Sequence, residues 1–501
     1  MLLYAILAMP LAAGAIAALV PWRRWVGWAA TCANGAVLGF GIALSVKTTH
    51  GRPLAALNGT LRADAMSSFM VVVIATGAML AAWQSPRYLS AEIERGECSL
   101  RHAALYTTLV QAFVTCMLAA VLAASLGVMW VAIEATTIAT TFLVGHRGSD
   151  KSLEASWKYV VICSVGIALA FLGTVLVYFA ALHVGSHIAS GPGAIAGTSG
   201  ASGARTLDWT SLMTASHHLD PGVMRLAMAL LVLGYGTKVG LAPMHSWLPD
   251  AHSQAPAPIS ALMSGVLLSV AFYALLRFKA IADGALGVGY TRTLLVVVGL
   301  ASLVVAASLL LSQKDLKRML GYSSLEHMGL IALGAAAGSS LAIAAVLLHI
   351  LGHGLVKSVL FLSSGEILLA EGTSEMANLP ALLSRRPVLG GIFGVGLVAL
   401  LGLPPFSLFV SELNMIRAEI AVGLGWAAAI SVICMAVIFV AMTGYGRQLL
   451  LGDRHLPASQ GTTARSVTIP LVSALAACAV VGVSAWPLQQ LLHAAARAVV
   501  R

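Results

Sequence analysis

Gly234-Tyr-Gly-Thr-Lys238-Val-Gly240-Leu-Ala-Pro243-Met-His245-Ser-Trp-Leu-Pro249-Asp250-Ala-His252-Ser-Gln-Ala-Pro256-Ala-Pro258-Ile259 is the stretch that decides how this chain is read. It opens inside an apolar run, Leu226 to Leu233, which places Lys238 at membrane depth, while Gly236, Gly240 and Pro243 interrupt the helix around it. Inserting a central lysine costs roughly 2.5 to 3.5 kcal/mol, a cost met where the ammonium faces a water-filled cavity or a carboxylate in an ion path. The competing reading, a lysine snorkelling from a helix end, needs an interface within side-chain reach, and apolar residues extend on both sides.

The rest of the chain agrees with that setting. Of its 501 residues 59% are hydrophobic and only 10% charged, with a mean hydropathy of +0.91, whereas a soluble domain carries about 25% charged residues. Apolar runs of about 18 to 25 residues recur along the whole length, about fourteen in all, and leave no room for a soluble domain. The fold expected is therefore an all-α polytopic membrane protein. The net charge of +10 is scattered through short loops rather than gathered in a stripe, which argues against nucleic acid and for topology signals. With the N-terminus outside, loops such as Arg23-Arg24, Arg87 to Arg101, Lys314 to Arg318 and Arg385-Arg386 put about fifteen basic residues inside against about ten outside. Both termini are thus expected outside an integral membrane protein. The first apolar run lacks the basic start and cleavage pattern of a secretory signal and is read as a retained span. The six cysteines are isolated, without the spacing of a zinc or iron–sulfur site, so no cofactor is expected in this chain.

Taken in order, the next informative residue is Glu134, near the middle of the span Val128 to Val144. It is a candidate for proton transfer or, protonated, for a hydrogen bond to a neighbouring helix. Glu154 and Lys158 lie four apart on one helical face, as an interfacial ion pair or a transport element. Residues 183–221 shift to Gly, Ser, Ala and His and are expected to form a flexible outer loop, its histidines too scattered for a dedicated metal site. His245, Asp250 and His252 follow the first break; flanking prolines favour a turn that gates water access over a metal site. Glu326 and His327 open span ten. In span eleven, His349, His353 and Lys357 recur every four residues, one stripe along about 12 Å of helix with the geometry of a proton wire. Leu401-Gly402-Leu-Pro404-Pro405-Phe-Ser-Leu-Phe-Val-Ser-Glu412 is a second break, and Gly240-Leu-Ala-Pro243 resembles Gly402-Leu-Pro-Pro405, as in inverted-repeat transporters. Lys238 precedes its break whereas Glu412 follows its own. Together these groups form a switch: a carboxylate near Lys238 holds its proton, and withdrawing the carboxylate lets desolvation release it toward the histidines and Glu412. The chain has no P-loop, dinucleotide fingerprint or redox ligands to energise such movement.

The stretch around Lys238, with Trp130-Val-Ala-Ile-Glu134-Ala-Thr-Thr and His349-x3-His353-x3-Lys357-Ser, resembles the antiporter-like membrane subunits of respiratory complex I, Mrp-type cation/proton antiporters and membrane-bound hydrogenases. Leu248 to Pro258 and Pro404-Pro405-Phe406 ending on Glu412 look most like the component F branch of hydrogenase-4 and formate hydrogenlyase-type complexes. The resemblance implies fourteen helices with two inverted five-helix repeats: helices 1–3 in residues 1–102, the first repeat in 103–280, the second in 281–450 and helix fourteen in 451–501. It gives Glu134 and Lys238 the roles of the paired glutamate and lysine, His349, His353 and Lys357 the connecting relay, and Glu412 the terminal proton site. Lys158, His245, Asp250, His252 and His327 are accessory candidates. Where several relatives have an ionisable group in helix eight, Ser269 offers only a hydroxyl, so water is expected to complete that link. The resemblance further implies a proton-translocating subunit in a bacterial inner membrane, without redox chemistry of its own, whose partners are other membrane subunits, a soluble redox module and the bilayer, with no nucleic acid. Two rivals stand beside it: an Mrp-type sodium/proton antiporter subunit, and a membrane scaffold for a soluble hydrogenase or an inorganic-carbon-capturing partner.

Overall fold

A computed structural model describes residues 1–50, 53–189, 207–452 and 464–500. The helices, in chain order, begin with α1 (Leu2–Leu19), α2 (Arg24–His50), α3 (Ala65–Glu94), α4 (Leu100–Leu122), α5 (Leu126–Val144), α6 (Asp150–Ala189) and α7 (Trp209–Ala215). The first broken helix is α8 (Pro221–Val239) with α9 (Trp247–Gln254); α10 (Ala257–Leu262) continues through a π-turn into α11 (Leu268–Leu286). The second half comprises α12 (Val288–Leu310), α13 (Leu316–Ala337), α14 (Ser340–Glu371), the short α15 (Leu382–Arg385), the broken pair α16 (Pro387–Leu400) and α17 (Ser407–Ala421), then α18 (Gly425–Leu451). α19 (Arg465–Val483) and α20 (Trp486–Arg497) end the chain. A small hairpin, β1 (Leu54–Ala56) with β2 (Leu61–Ala63), precedes α3.

Twelve helices among the described residues are long and apolar enough to cross a membrane. Two further crossings fail that test for physical reasons: α13 carries Lys317, Arg318 and Glu326, and α16 and α17 are halves of one broken helix. With these two the fourteen crossings expected from the sequence are accounted for. The apolar windows of α10–α11 and α14 are completely buried, whereas those of α1, α18 and α19 are only one-third buried. The two interior helices are therefore the axis of the bundle.

The two five-helix sets repeat one packing scheme. α4 packs on α5, α5 on α6, α6 on broken α8, and α8 on α11; correspondingly α12 packs on α13, α13 on α14, α14 on broken α16 and α17, and α17 on α18. The breaks are alike at the level of hydrogen bonds. Gly240 N donates to Thr237 O and Leu241 N to Gly236 O; Gly402 N donates to Ala399 O and Leu403 N to Val398 O. In each, a left-handed glycine (φ +84° and +63°) ends the first half, as a helix C-terminus favours, and a cis X-Pro bond follows at Pro243 and Pro405. The first break is further tied by Ala242 N to Ser302 Oγ at 2.9 Å and Trp247 Nε1 to Thr237 O at 2.8 Å.

The expectation of a flexible loop over 183–221 is corrected in part. α6 continues to Ala189, and residues 207–221 are ordered: Asp208 caps α7 by accepting from Ser211 N, Trp209 Nε1 donates to Arg277 O, and Leu212 and Leu219 are buried. Averaging composition over the stretch hid these anchors. The remainder, 190–206, lies outside the described residues. Span three also runs past Trp83 to Glu94.

Two local features generate tests. α6 and α8 touch backbone to backbone at Gly234, where a Cβ would meet Ala170 N at 2.4 Å and Gly166 O at 2.6 Å. Gly234→Val is expected to push α8 off α6, lowering stability by about 1 to 3 kcal/mol and reducing recovery of folded protein, as read by thermal unfolding in detergent. At the N-terminus of α3, Asp64 and Arg277 form a buried ion pair at 2.7 Å. Burial alone would raise the Asp64 carboxyl, but the Arg277 guanidinium and the Ser67 hydrogen bonds hold it down at about 2. A carboxyl lowered by folding contributes stability that is complete above its ordinary value near 4 and lost as pH falls toward about 2. Asp64→Asn is expected to cost about 3 to 5 kcal/mol at neutral pH, with the difference in Tm from wild type narrowing as the pH is lowered toward 3.

Candidate functional site

The first cluster lies where α5, α6 and α8 meet. Lys238, fully buried two residues before the break, donates from Nζ to Thr137 Oγ1 at 2.8 Å and to Tyr159 OH at 2.6 Å. Thr137 in turn donates to Glu134 Oε2 at 3.2 Å, and Ser164 donates to the other carboxylate oxygen at 3.3 Å. The expected glutamate and lysine are thus brought together, but through an intervening hydroxyl rather than as a direct ion pair. On the other side Tyr159 OH lies 2.5 Å from Thr140 Oγ1, whose own proton is directed at Thr136 O at 2.6 Å, so Tyr159 is the donor to Thr140. Glu134 itself is half-buried at the edge of the cluster.

The second cluster lies where α13, α14 and α17 meet, the equivalent helices of the other repeat. His349 Nδ1 is 2.9 Å from Ser411 Oγ, and its Nε2 is 3.1 Å from His327 Nδ1. The His327 ring lies 5.1 Å from that of His353, which stacks on His349 at 6.5 Å. One oxygen of Glu412 lies within 4.8 Å of nitrogens on both His327 and His349. Glu412 is drawn in against the backbone at Gly402, where a Cβ would sit 2.2 Å from Oε2. Although Lys238 and Glu412 stand on opposite sides of their breaks, each faces the two preceding helices of its own repeat. Tyr159 and His349 even share the tenth position of α6 and α14.

Between the clusters run fully buried polar groups. Lys357 Nζ donates to Leu320 O at 2.7 Å and Ser323 Oγ at 2.5 Å. Lys317 donates to Ser253 O at 3.1 Å and to Ala255 O, fastening α13 to the end of α9. Ser264, in the π-turn ahead of α11, meets Ser324 at 2.7 Å. Both ring nitrogens of His252 and of His353, and the Ser269 hydroxyl, are buried without a partner among the described residues.

The accessory candidates separate. His327 belongs at the centre of the second cluster. Lys158 pairs with Glu154 at 2.6 Å and with Asp250 at 3.2 Å; Asp250 also takes Arg318 at 3.0 Å, so these charges clamp α9 to α6 and α13 at one end of the bundle. His245, Asp250 and His252 do not converge as a ligand set among the described residues. Sequence reasoning missed Thr137, Tyr159, Ser164 and Ser411, and read Lys317 only as part of a basic loop. Thr137 was within reach, since it lies one helical turn beyond Glu134 on the same face; Tyr159 and Ser411 depend on which helices become neighbours.

Among the described residues two groups offer three ligand atoms within 4.8 Å: His327, His349 and Glu412; and Glu92, Cys98 and His146. In the first the two imidazole nitrogens already face each other as a hydrogen bond. In the second, His146 and Glu92 pair at 3.2 Å, while Arg95 and Arg147 line the adjoining cavity and put positive charge beside it.

Residues 123–438 match the family model described as NADH:quinone oxidoreductase/Mrp antiporter, TM. A relative described as hydrogenase-4 component F homolog, from Methylacidiphilum infernorum (isolate V4), is 37% identical over 390 residues, covering 78% of each chain. Among solved structures, a chain of the archaeal membrane-bound sulfane sulfur reductase superposes with a TM-score of 0.86 at 22% identity, covering 100% of this chain and 98% of that one. A chain of the Mrp complex from Dietzia sp. DQ12-45-1b gives 0.81 at 21% identity, covering 99% and 96%. With the matched family segment spanning both clusters and both breaks, this chain belongs to the NADH:quinone oxidoreductase/Mrp antiporter family of membrane subunits.

Proposed function

We propose that this chain moves protons across the membrane as one subunit of a multi-subunit, redox-driven complex of the hydrogenase-4 or complex I-like type. The observation that carries this reading is the pair of buried clusters, one on each broken helix, each holding its ionisable group against the same two helices of its repeat. Residues 103–280 and 281–450 then supply one half-path each. In the first, a proton passes between Lys238 and Glu134 through the Thr137 hydroxyl. In the second, it passes along His353, His327 and His349 toward Glu412, with Lys357 at the junction. Buried polar atoms nearly always have hydrogen-bond partners, so the open nitrogens of His252 and His353 and the Ser269 hydroxyl mark where water completes the link. Moving one charge against 100 mV takes about 2.3 kcal/mol, which a soluble redox module and neighbouring membrane subunits would have to supply.

The decisive measurement is redox-driven proton pumping in inside-out vesicles containing the intact complex at matched assembly. Lys238→Ala and Glu134→Gln are each expected to cut pumping to less than roughly a tenth of wild type, the loss typical of removing a positioned proton donor or acceptor. Tyr159→Phe, which keeps the ring but removes one partner of Lys238, is expected to give an intermediate value. Pumping that survives both Lys238→Ala and Glu134→Gln would make this chain a scaffold; sodium-dependent exchange without an electron donor would make it an antiporter.

The second cluster has its own test. His327→Ala is expected to suppress pumping as His349→Ala does, whereas treating the vesicles with a membrane-permeant chelator should leave pumping unchanged. Loss of pumping on chelation, restored by adding metal, would reassign His327, His349 and Glu412 as ligands.

A further inference from the structure

At the end of the bundle where α3 and α14 finish and α2, α16 and α19 begin, the helices spread around a cavity of about 490 Å³. Its wall carries four arginines, Arg24, Arg87, Arg95 and Arg386. Glu94 pairs with Arg24 at 3.3 Å, Glu366 with Arg87 at 3.3 Å, and Glu371 with both Arg385 and Arg386. Five arginines therefore meet three carboxylates. Arg95 donates to the Leu369 carbonyl at 2.6 Å, a neutral acceptor, and also borders the neighbouring cavity that holds Glu92 and Glu97. None of these groups belongs to the buried clusters described above.

The rest of the wall mixes Ser90 and Ser466 with the apolar Trp28, Pro86, Leu369 and Leu389. Trp28 and Leu389 line the cavity, and Trp25, Trp28 and Val388 are 50%, 39% and 48% exposed at the same level. Trp28 is braced edge-on by Trp83, with ring centroids 5.4 Å apart. Exposed tryptophans beside clustered arginines at a helix end are the arrangement expected at the headgroup level of a membrane. A basic pocket between spanning helices selects a phosphate-bearing headgroup, and the flanking apolar faces select a molecule that also carries acyl chains.

We propose that this cavity is a binding site for the headgroup of an anionic phospholipid, with Arg95 and Arg24 contacting its phosphate and Trp28 packing on the glycerol and upper acyl region. The excess of guanidinium over carboxylate favours an anionic over a zwitterionic lipid. The exposed indole and aliphatic side chains of Trp25, Trp28 and Val388 beside the cavity favour a lipid over a free phosphate.

The test uses the full complex in lipid nanodiscs containing a photoactivatable phosphatidylglycerol, with cross-linked peptides mapped by mass spectrometry. Labelling is expected on the peptides around Trp28 and Leu389. It should fall several-fold in Arg24→Gln/Arg95→Gln, recover largely in Arg95→Lys, and be unaffected by millimolar inorganic phosphate. Thermal unfolding of the variants shows whether they remain folded; if the double variant does not, Arg95→Gln alone is read, since Arg95 forms no direct ion pair among the described residues. Equal labelling by a photoactivatable phosphatidylcholine would overturn the anionic selectivity. Competition by inorganic phosphate would assign the cavity to a soluble anion. Labelling of the isolated chain but not of the complex would show that a partner subunit covers it. Each of the three sinks the proposal.

Discussion

A helix crossing hydrocarbon has to satisfy its own backbone, so it can stop halfway only where other groups take over the freed hydrogen bonds. This chain stops twice. At each stop a left-handed glycine turns the last amides back onto carbonyls three and five residues earlier. At the first, the Ser302 hydroxyl accepts from Ala242 N and the Trp247 indole adds a second donor to Thr237 O. Everything else follows from where those stops can be buried. α8 lies against α6, and α17 against α14, so that Lys238 and Glu412 enter the protein interior instead of the lipid.

The charges of this protein fall into two kinds, and their partners distinguish them. Near the helix ends, carboxylates meet guanidinium or ammonium groups directly: Asp64 with Arg277, Asp250 with Arg318 and Lys158, Glu371 with Arg385 and Arg386. Such pairs tie one element to another. Along the interior, by contrast, Lys238 is held by two hydroxyls, Lys357 by a hydroxyl and a carbonyl, and His349 by a serine and another imidazole. Hydroxyl and carbonyl oxygens carry no net charge, so these groups have hydrogen-bond partners without a directly paired counter-ion. That difference is what a proton path needs and what a structural clamp avoids.

Much of this was legible beforehand. The number of crossings, both breaks and the polar stripe on α14 are local patterns of hydropathy, glycine and proline placement and four-residue spacing, each read from one segment at a time. Lys238, Glu134 and His349 stand out because an ionisable residue in an apolar run is costly wherever it lands. His327 looked peripheral because Lys317 and Arg318 mark the start of its helix as a polar end; only the packing of α13 against α14 carries it into the histidine cluster. The stretch before α8 misled in the opposite direction, since glycine and serine outweighed Leu212 and Leu219, which bury themselves against the bundle, and Trp209, which packs on it partly buried.

By itself, then, the sequence determined that the chain lives in a membrane, roughly where it crosses, where two crossings break and which residues are too polar for their surroundings. These are properties of short segments in a low-dielectric solvent, where a single charge or proline outweighs many weaker preferences. Only the tertiary structure decided which polar groups become partners. Thr137 between Glu134 and Lys238, Tyr159 opposite Lys238, and Ser411 beside His349 come from helices up to about a hundred residues apart. The reason is geometric: a hydroxyl costs little to bury on any helix, so it leaves no mark in the sequence until packing sets a donor within 3 Å of it.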